Sequence, residues 1–289
     1  MITYLLRFPR QAWRFLYRHR HPVRDVIRAR KIRRISVTEL IAEQERRFAD
    51  AGLDWQRARN AVEAVVGPNE DPSSHRSEHY EVFAALCETM AVRDVLEIGT
   101  AEGEFTAFMA RLAPSSRVVT IDLPSTDERF WRATRAGTST REGGADAKDI
   151  AARDGRLAAH PNVSSIPMNS LMLSSIRDAQ YDVVWVDGDH SYPIVAVDIV
   201  NSLRIVRPNG VVLCDDVYLG RSDHSAWVGD ETSATLDALE RAGLVEVHLV
   251  LKKLFPSKNY DLARRRYVAI VRPLPSAWQA PVRSEGSAT

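Results

Sequence analysis

The sequence predicts an α/β fold, a doubly wound and mostly parallel seven-stranded sheet preceded by a helical extension. Three observations predict it. From Val92 to Pro273, short β-branched runs alternate with helical stretches, and strands joined in that way cross over right-handedly into a parallel sheet covered on both faces. The first run, 94–98, leads into a turn with a glycine at each end, Gly99-Thr-Ala-Glu-Gly103, and then into a helix over 104–112. Asp122 ends the second run, at the distance where a doubly wound fold places an acid.

The 289 residues, 45% hydrophobic and 27% charged, have the balance of a soluble globular protein with one sizeable domain and extensions. No run approaches the roughly 18–20 apolar residues that cross a bilayer, and no signal-peptide pattern follows Met1. Cys87 and Cys214 cannot make a disulfide framework or a zinc cluster by themselves, so a reducing, cytoplasmic setting is expected. The net charge of +1 conceals an asymmetry. Residues 1–36 hold eleven Arg/Lys against Asp25, a balance of +10 that leaves −9 for the remainder, so this segment reads as a separate object.

Within it, Arg7, Arg10, Arg14, Arg18, His21, Arg24, Arg28 and Lys31 recur at helical spacing, with Pro9 and Pro22 as breaks. Such a basic amphipathic segment suits peripheral contact with an anionic membrane, or an arm on the second subunit of a homo-oligomer. Nucleic acid ranks behind these because nothing in the segment reads bases, and an organellar transit peptide ranks last, since the first serine is Ser36.

Residues 37–91 read as a helical N-terminal extension, with helix over 37–66, a turn-rich break, and a second helix over 77–90. The sheet domain spans 92–273. Its strands are expected at 94–98, 117–121, 163–166, 182–186 and 210–214, closed by an antiparallel hairpin of 245–251 and 267–271. Segment 124–160 is long for a link and reads as helix plus a mobile insertion over the site. Residues 274–289, rich in Pro, Ser, Gly and Ala, read as a flexible tail.

Two constellations carry chemistry. The 99–103 turn allows close backbone approach to a ligand, and the following helix N-terminus offers amides to an anionic group such as a carboxylate. Its G-x-x-x-G spacing departs from the G-x-G-x-x-G of a dinucleotide site. Asp122 can grip ribose hydroxyls, or cap the next helix; Asn169 and Ser170 can meet an adenine edge, or equally cap a helix. The second constellation is Asp187-Gly-Asp-His190-Ser-Tyr192 and, after Pro208-Asn-Gly210, the pair Asp215-Asp216. Neighbouring strand ends lie on the order of 5 Å apart, so Asp187, Asp215 and Asp216 should converge, and carboxylates that close call for protons or a cation. Hard oxygen ligands favour magnesium, with calcium and manganese as the other candidates; the alternative is that some of them cap helices or bind a cofactor amino group. His190, three residues past Asp187, can accept a proton in the same pocket. His224 reads as a surface loop histidine or an acceptor-pocket residue.

Through Glu97-Ile-Gly-Thr-Ala-Glu-Gly103, Asp122 and the DGDHSY and Asp215-Asp216 stretches, the chain resembles class I S-adenosylmethionine-dependent methyltransferases from about residue 77 to 273. The second stretch resembles the branch with macrocin-type sugar O-methyltransferases and, more distantly, catechol and caffeoyl-CoA O-methyltransferases. The resemblance implies a Rossmann-like methyltransferase fold with Glu97, Gly99 and Gly103 on the methionine part of the cofactor and Asp122 on its ribose; Thr100, in the same turn, is expected among the cofactor-binding residues. It also implies Mg²⁺ on Asp187, Asp215 and Asp216, with His190 as base. Two departures stand out: Asn209 replaces the usual glycine, and Asn169 replaces an acid.

The function expected is therefore Mg²⁺-assisted O-methylation of a small-molecule hydroxyl, such as a sugar's. Amino-group methylation of nucleic acid is disfavoured by the absence of Asn/Asp-Pro-Pro-Tyr/Phe after the fourth strand. The alternatives are a metal-independent methyltransferase, and a non-catalytic relative that docks on a membrane or partner.

Overall fold

A computed structural model of the chain describes residues 36–66, 77–127, 147–175, 181–218, 231–254 and 266–274. The basic segment except Ser36, the break after Val66, most of the 124–160 link, His224 and the tail after Leu274 lie outside these residues.

The element order is α1 (Val37–Asp50), α2 (Trp55–Val66), α3 (His79–Thr89), β1 (Asp94–Ile98), α4 (Glu104–Leu112), β2 (Arg117–Asp122) and α5 (Ala147–Ala158). There follow β3 (Val163–Pro167), a 3₁₀ turn (Ser170–Ser175), β4 (Tyr181–Val186), α6 (Ile194–Ile205), β5 (Val206–Tyr218), α7 (Glu231–Arg241), β6 (Val245–Leu251) and β7 (Arg266–Pro273). The seven strands run in the order β3-β2-β1-β4-β5-β7-β6. All are parallel except β7, which lies antiparallel between β5 and β6. This is the doubly wound, mostly parallel seven-stranded sheet expected from the sequence, with helices N-terminal to it.

The order reverses between β1 and β4, because chain growth goes outward through β2 and β3 on one side and through β5 on the other. Right-handed crossovers then put α4 and α6 on opposite faces. Consistent with this, α4 packs on β2 and β3 and α6 on β4 and β5. Between two helical layers, the central strands must be apolar on both sides. All six residues of β4, Tyr181-Asp-Val-Val-Trp-Val186, are buried, and Asp182 at its entry is compensated by Arg207 at 2.7 Å.

Two expectations change. The helix expected over 37–66 is two helices, because Gly52 takes the left-handed conformation (φ 73°) and Leu53 N–H turns back to the Phe48 carbonyl at 2.8 Å, a C-terminal stop. Asp54 then accepts from Arg57 N–H at 3.0 Å and starts α2. The fifth strand is longer than expected and runs through Asp215 and Asp216 instead of ending before them. Cys214 pairs with Ala269 and Val217 with Tyr267, so two residues of β5 stand opposite Val268 alone. This is a β-bulge, and Asp216 sits in it at φ 50°.

The extension is welded to the far edge of the sheet. The Gln44 amide donates to the Leu251 carbonyl (3.0 Å) and accepts from the Leu251 N–H (2.8 Å). The Glu78 carboxylate accepts from Trp55 Nε1 (2.7 Å) and Gln44 Nε2 (3.2 Å). Burial, and then the Glu81 charge, push Glu78 up to about 8 from an ordinary 4.5. A carboxyl raised on folding contributes stability that is full below 4.5 and is lost as pH rises through about 8. Glu78→Gln, which keeps an acceptor oxygen, should therefore reduce the fall in Tm between pH 5 and pH 9. Glu78→Ala should cost about 2–3 kcal/mol at neutral pH by leaving the Trp55 indole N–H without its acceptor and the Gln44 amide with the Leu251 carbonyl alone. Thermal melts across this pH range check both; a Glu78→Gln profile parallel to wild type would contradict the assignment.

Candidate active site at the strand-order reversal

Open parallel sheets bind ligands at the carboxyl ends of strands where the order reverses, here between β1 and β4. Gly99 and Asp187 follow these two strands and meet directly: Asp187 N–H donates to the Ile98 carbonyl at 2.9 Å, and Gly99 N–H to the Ile121 carbonyl at 2.9 Å. Gly99 has φ 99°, and a side chain there would collide with the Asp187 backbone carbonyl. Its glycine is thus required by strand approach as well as by turn conformation. Ala101 (φ 44°) and Gly103 (φ 73°) are also left-handed, and Gly103 starts α4.

Beneath the turn, Glu97 is 2% exposed and accepts from Thr120 Oγ1 at 2.6 Å and from Thr106 Oγ1. Burial pushes its carboxyl up to about 8, against these two donors. Thr100 is likewise buried, its hydroxyl 2.7 Å from that of Thr120. Both side chains tie the turn to β2 and α4 from within. Asp122 ends β2 as expected and accepts from Leu123 N–H (2.7 Å) and Ala101 N–H (3.3 Å), linking the second strand end to the turn. Burial raises its carboxyl in spite of these donors. After β3, the Asn169 side chain accepts from Leu171 N–H at 3.0 Å, the capping arrangement, and Ser170 begins the 3₁₀ turn that follows.

Across β4 and β5 lies the second constellation. His190 Nε2 is 3.3 Å from Asp187 Oδ1. Burial alone would lower the imidazole; the Asp187 hydrogen bond and charge, with those of Asp216 and Asp215, outweigh it and raise His190 above its ordinary value. Asp215 and Asp216 are buried, and the bulge brings both to Lys252, whose Nζ contacts Asp215 and stands 2.6 Å from Asp216 Oδ1. Arg266 Nη1 adds 3.2 Å to Asp216 Oδ2. Burial and the Asp187 charge push Asp215 up to about 7, whereas Lys252 and Arg266 overcome the burial of Asp216 and hold it below the usual range.

The three expected magnesium carboxylates are therefore not brought together as one set. Asp216 faces Lys252 and Arg266; the ligand atoms that lie within 4.8 Å of one another belong to Asp187, His190 and Asp215. One oxygen of that group, Asp215 Oδ1, is buried with no hydrogen-bond partner among the described residues. As a magnesium site the group fits poorly, because its third donor is an imidazole where magnesium takes oxygen, and an ammonium already holds the other Asp215 oxygen.

Residues 96–217 match the family model of a methyltransferase domain. The matched span begins in β1 and ends in β5, so it contains Glu97, the 99–103 turn, Asp122, Asp187, His190 and the Asp215–Asp216 pair. Lys252 and Arg266 lie beyond it. No curated protein matches the sequence. Among solved structures, the chain is similar to the O-methyltransferase of Bacillus cereus in complex with SAH. Identity is 15%, over 82% of this chain and 100% of that one, with TM-score 0.47. It is also similar to the O-methyltransferase TomG of Streptomyces achromogenes, involved in tomaymycin synthesis, in complex with SAM (18%, over 79% and 95%, TM-score 0.47). A third is cofactor-bound Rv0187 from MTB (18%, over 83% and 98%, TM-score 0.48).

The sequence reading missed Lys252 and Arg266. The expected β-hairpin held the signal, since its register pairs Leu251 with Tyr267 and so puts the next residues of the two strands, Lys252 and Arg266, side by side against β5. Among the described residues no helix is long and apolar enough to cross a membrane.

Proposed function

We propose that the chain transfers the methyl group of S-adenosylmethionine to a hydroxyl of a small molecule, of the sugar or polyol class, with His190 as general base. The observation that carries this reading is the neighbourhood within the methyltransferase domain: the glycine turn and Asp122 open at the strand-order reversal, and the Asp187–His190 pair adjoins them. The 99–103 turn and Asp122 would seat the methionine and ribose parts of the donor. An acceptor oxygen then forms the new C–O bond as the sulfonium C–S bond breaks, leaving S-adenosylhomocysteine, and the hydroxyl proton passes to the imidazole. With Nε2–H directed at Asp187, the lone pair on Nδ1 is the basic one, and the carboxylate stabilises the imidazolium that forms.

Magnesium assistance is not part of this reading, because Lys252 already holds Asp215 and Asp216. The test is a calorimetric titration with S-adenosylhomocysteine. One site per chain is expected, weakened about 10- to 100-fold by Asp122→Ala, as loss of charge-assisted hydrogen bonds to ribose implies. Absence of binding to the wild-type protein would overturn the reading.

A further inference from the structure

We propose that Lys252 is the permanent cation of this site, filling with its ammonium the place among the carboxylates that a divalent ion would otherwise take, so that the pocket works without a metal. Asp187 and Asp215 approach one point beside His190, and Asp216, next to Asp215 in the bulge, reaches the same ammonium as Asp215; Asp215 and Asp216 are buried in the interior. Carboxylates so placed repel unless a positive charge stands among them. The structure supplies that charge from the chain. Lys252 Nζ contacts Asp215 and Asp216, and Arg266 Nη1 donates to both Asp216 oxygens.

This lysine is not a surface side chain that happened to fold inward. It is 9% exposed, and its backbone is fixed on both sides: its N–H donates to the Arg266 carbonyl at 2.9 Å, and its carbonyl accepts from Glu78 N–H at 2.8 Å. The preceding Leu251 is held by Gln44, so the extension α1–α3 and the β6–β7 hairpin jointly set the position of the ammonium. A methionine at 252 would leave both Asp215 oxygens without a hydrogen-bond partner among the described residues and Asp216 with Arg266 alone. A divalent ion entering beside the lysine would meet a like charge a few ångströms away, in surroundings that screen poorly.

The proposal deepens the methyl-transfer reading and rests on it for what the pocket is used for, but its test measures cation binding and stands apart from turnover. Mn²⁺ is the probe, followed by loss of its free-ion electron paramagnetic resonance signal. Wild-type protein should bind no Mn²⁺ in the micromolar range. Lys252→Met should gain one site, at least about tenfold tighter than any wild-type affinity, and the gain should vanish in Lys252→Met/Asp215→Asn. Lys252→Arg should exclude Mn²⁺ as wild type does. A wild-type protein that binds one Mn²⁺ as tightly as Lys252→Met, or a folded Lys252→Met that gains no site, overturns the proposal. If Lys252→Met does not fold, Lys252→Gln is read by the same criterion. Failure to bind S-adenosylhomocysteine would instead strike the methyl-transfer reading and leave the Mn²⁺ result standing.

Discussion

His190→Ala is expected to lower methyl transfer by about 10²–10⁴-fold, the usual contribution of a positioned acid or base, while leaving S-adenosylhomocysteine affinity within a few-fold. The split follows from where the residue stands. His190 is beside Asp187, past β4, whereas the turn and Asp122 that would hold the donor are built by β1, β2 and α4. Turnover has its own pH signature. The imidazole must be neutral to accept a proton, and Asp187, with Asp216 and Asp215, raises its pKa above the ordinary 6.5, so activity should climb with pH along a limb centred above 6.5. Asp187→Asn removes the strongest of those charges and should move the limb to lower pH while reducing the maximal rate. The double variant His190→Ala/Asp187→Asn should be scarcely slower than His190→Ala, because the two act as one unit. Equal turnover by wild type and His190→Ala, or a pH limb that Asp187→Asn leaves in place, would remove the base from the mechanism.

What the sequence made legible was local. β1, its turn and α4 were read at their observed boundaries, because a β-branched run, two glycines and a helical period all act within about twenty residues. The acids at 122, 187, 215 and 216 were legible for the same reason, each following an apolar run. The partners that decide what those acids do were not. Lys252 is 37 residues from Asp215 in sequence, and a lysine after an apolar strand ordinarily marks its solvated end. Its burial depends on β7 inserting between β5 and β6, and on Glu78 and Gln44 closing over the hairpin from the opposite end of the chain. The bulge was hidden as well, since apolar patterning alone would put Asp215 and Asp216 on opposite faces; only the pairing with β7 shows both reaching one ammonium. Asn169 shows the converse limit. Capping and ligand contact demand the same polar side chain at a strand end, and here it makes the cap.

Gly99→Ala is expected to be the most destabilising small substitution at the site, at about 3–5 kcal/mol, or roughly 6–20 °C in Tm for a domain of this size. Two costs combine. At φ 99° an alanine leaves the allowed region, which alone is of order 1–3 kcal/mol. Its Cβ would also overlap the Asp187 carbonyl, with the carbonyl carbon at 2.7 Å and Gly188 N at 3.0 Å. These are backbone atoms, fixed by the β1–β4 pairing, so relief requires parting the two strands where the donor would bind. Two of the other left-handed glycines separate the terms. Gly52→Ala, with φ 73° and nothing within 4 Å, bears the conformational cost alone, about 1 kcal/mol. Gly103→Ala meets Leu157 Cδ2 at 2.9 Å, the end of a flexible side chain that can move, and should fall between them. Chemical denaturation of the three variants ranks them. A Gly99→Ala no worse than Gly52→Ala would mean that β1 and β4 do not approach as closely as described, and the crevice assigned to the methyl donor would lose its wall.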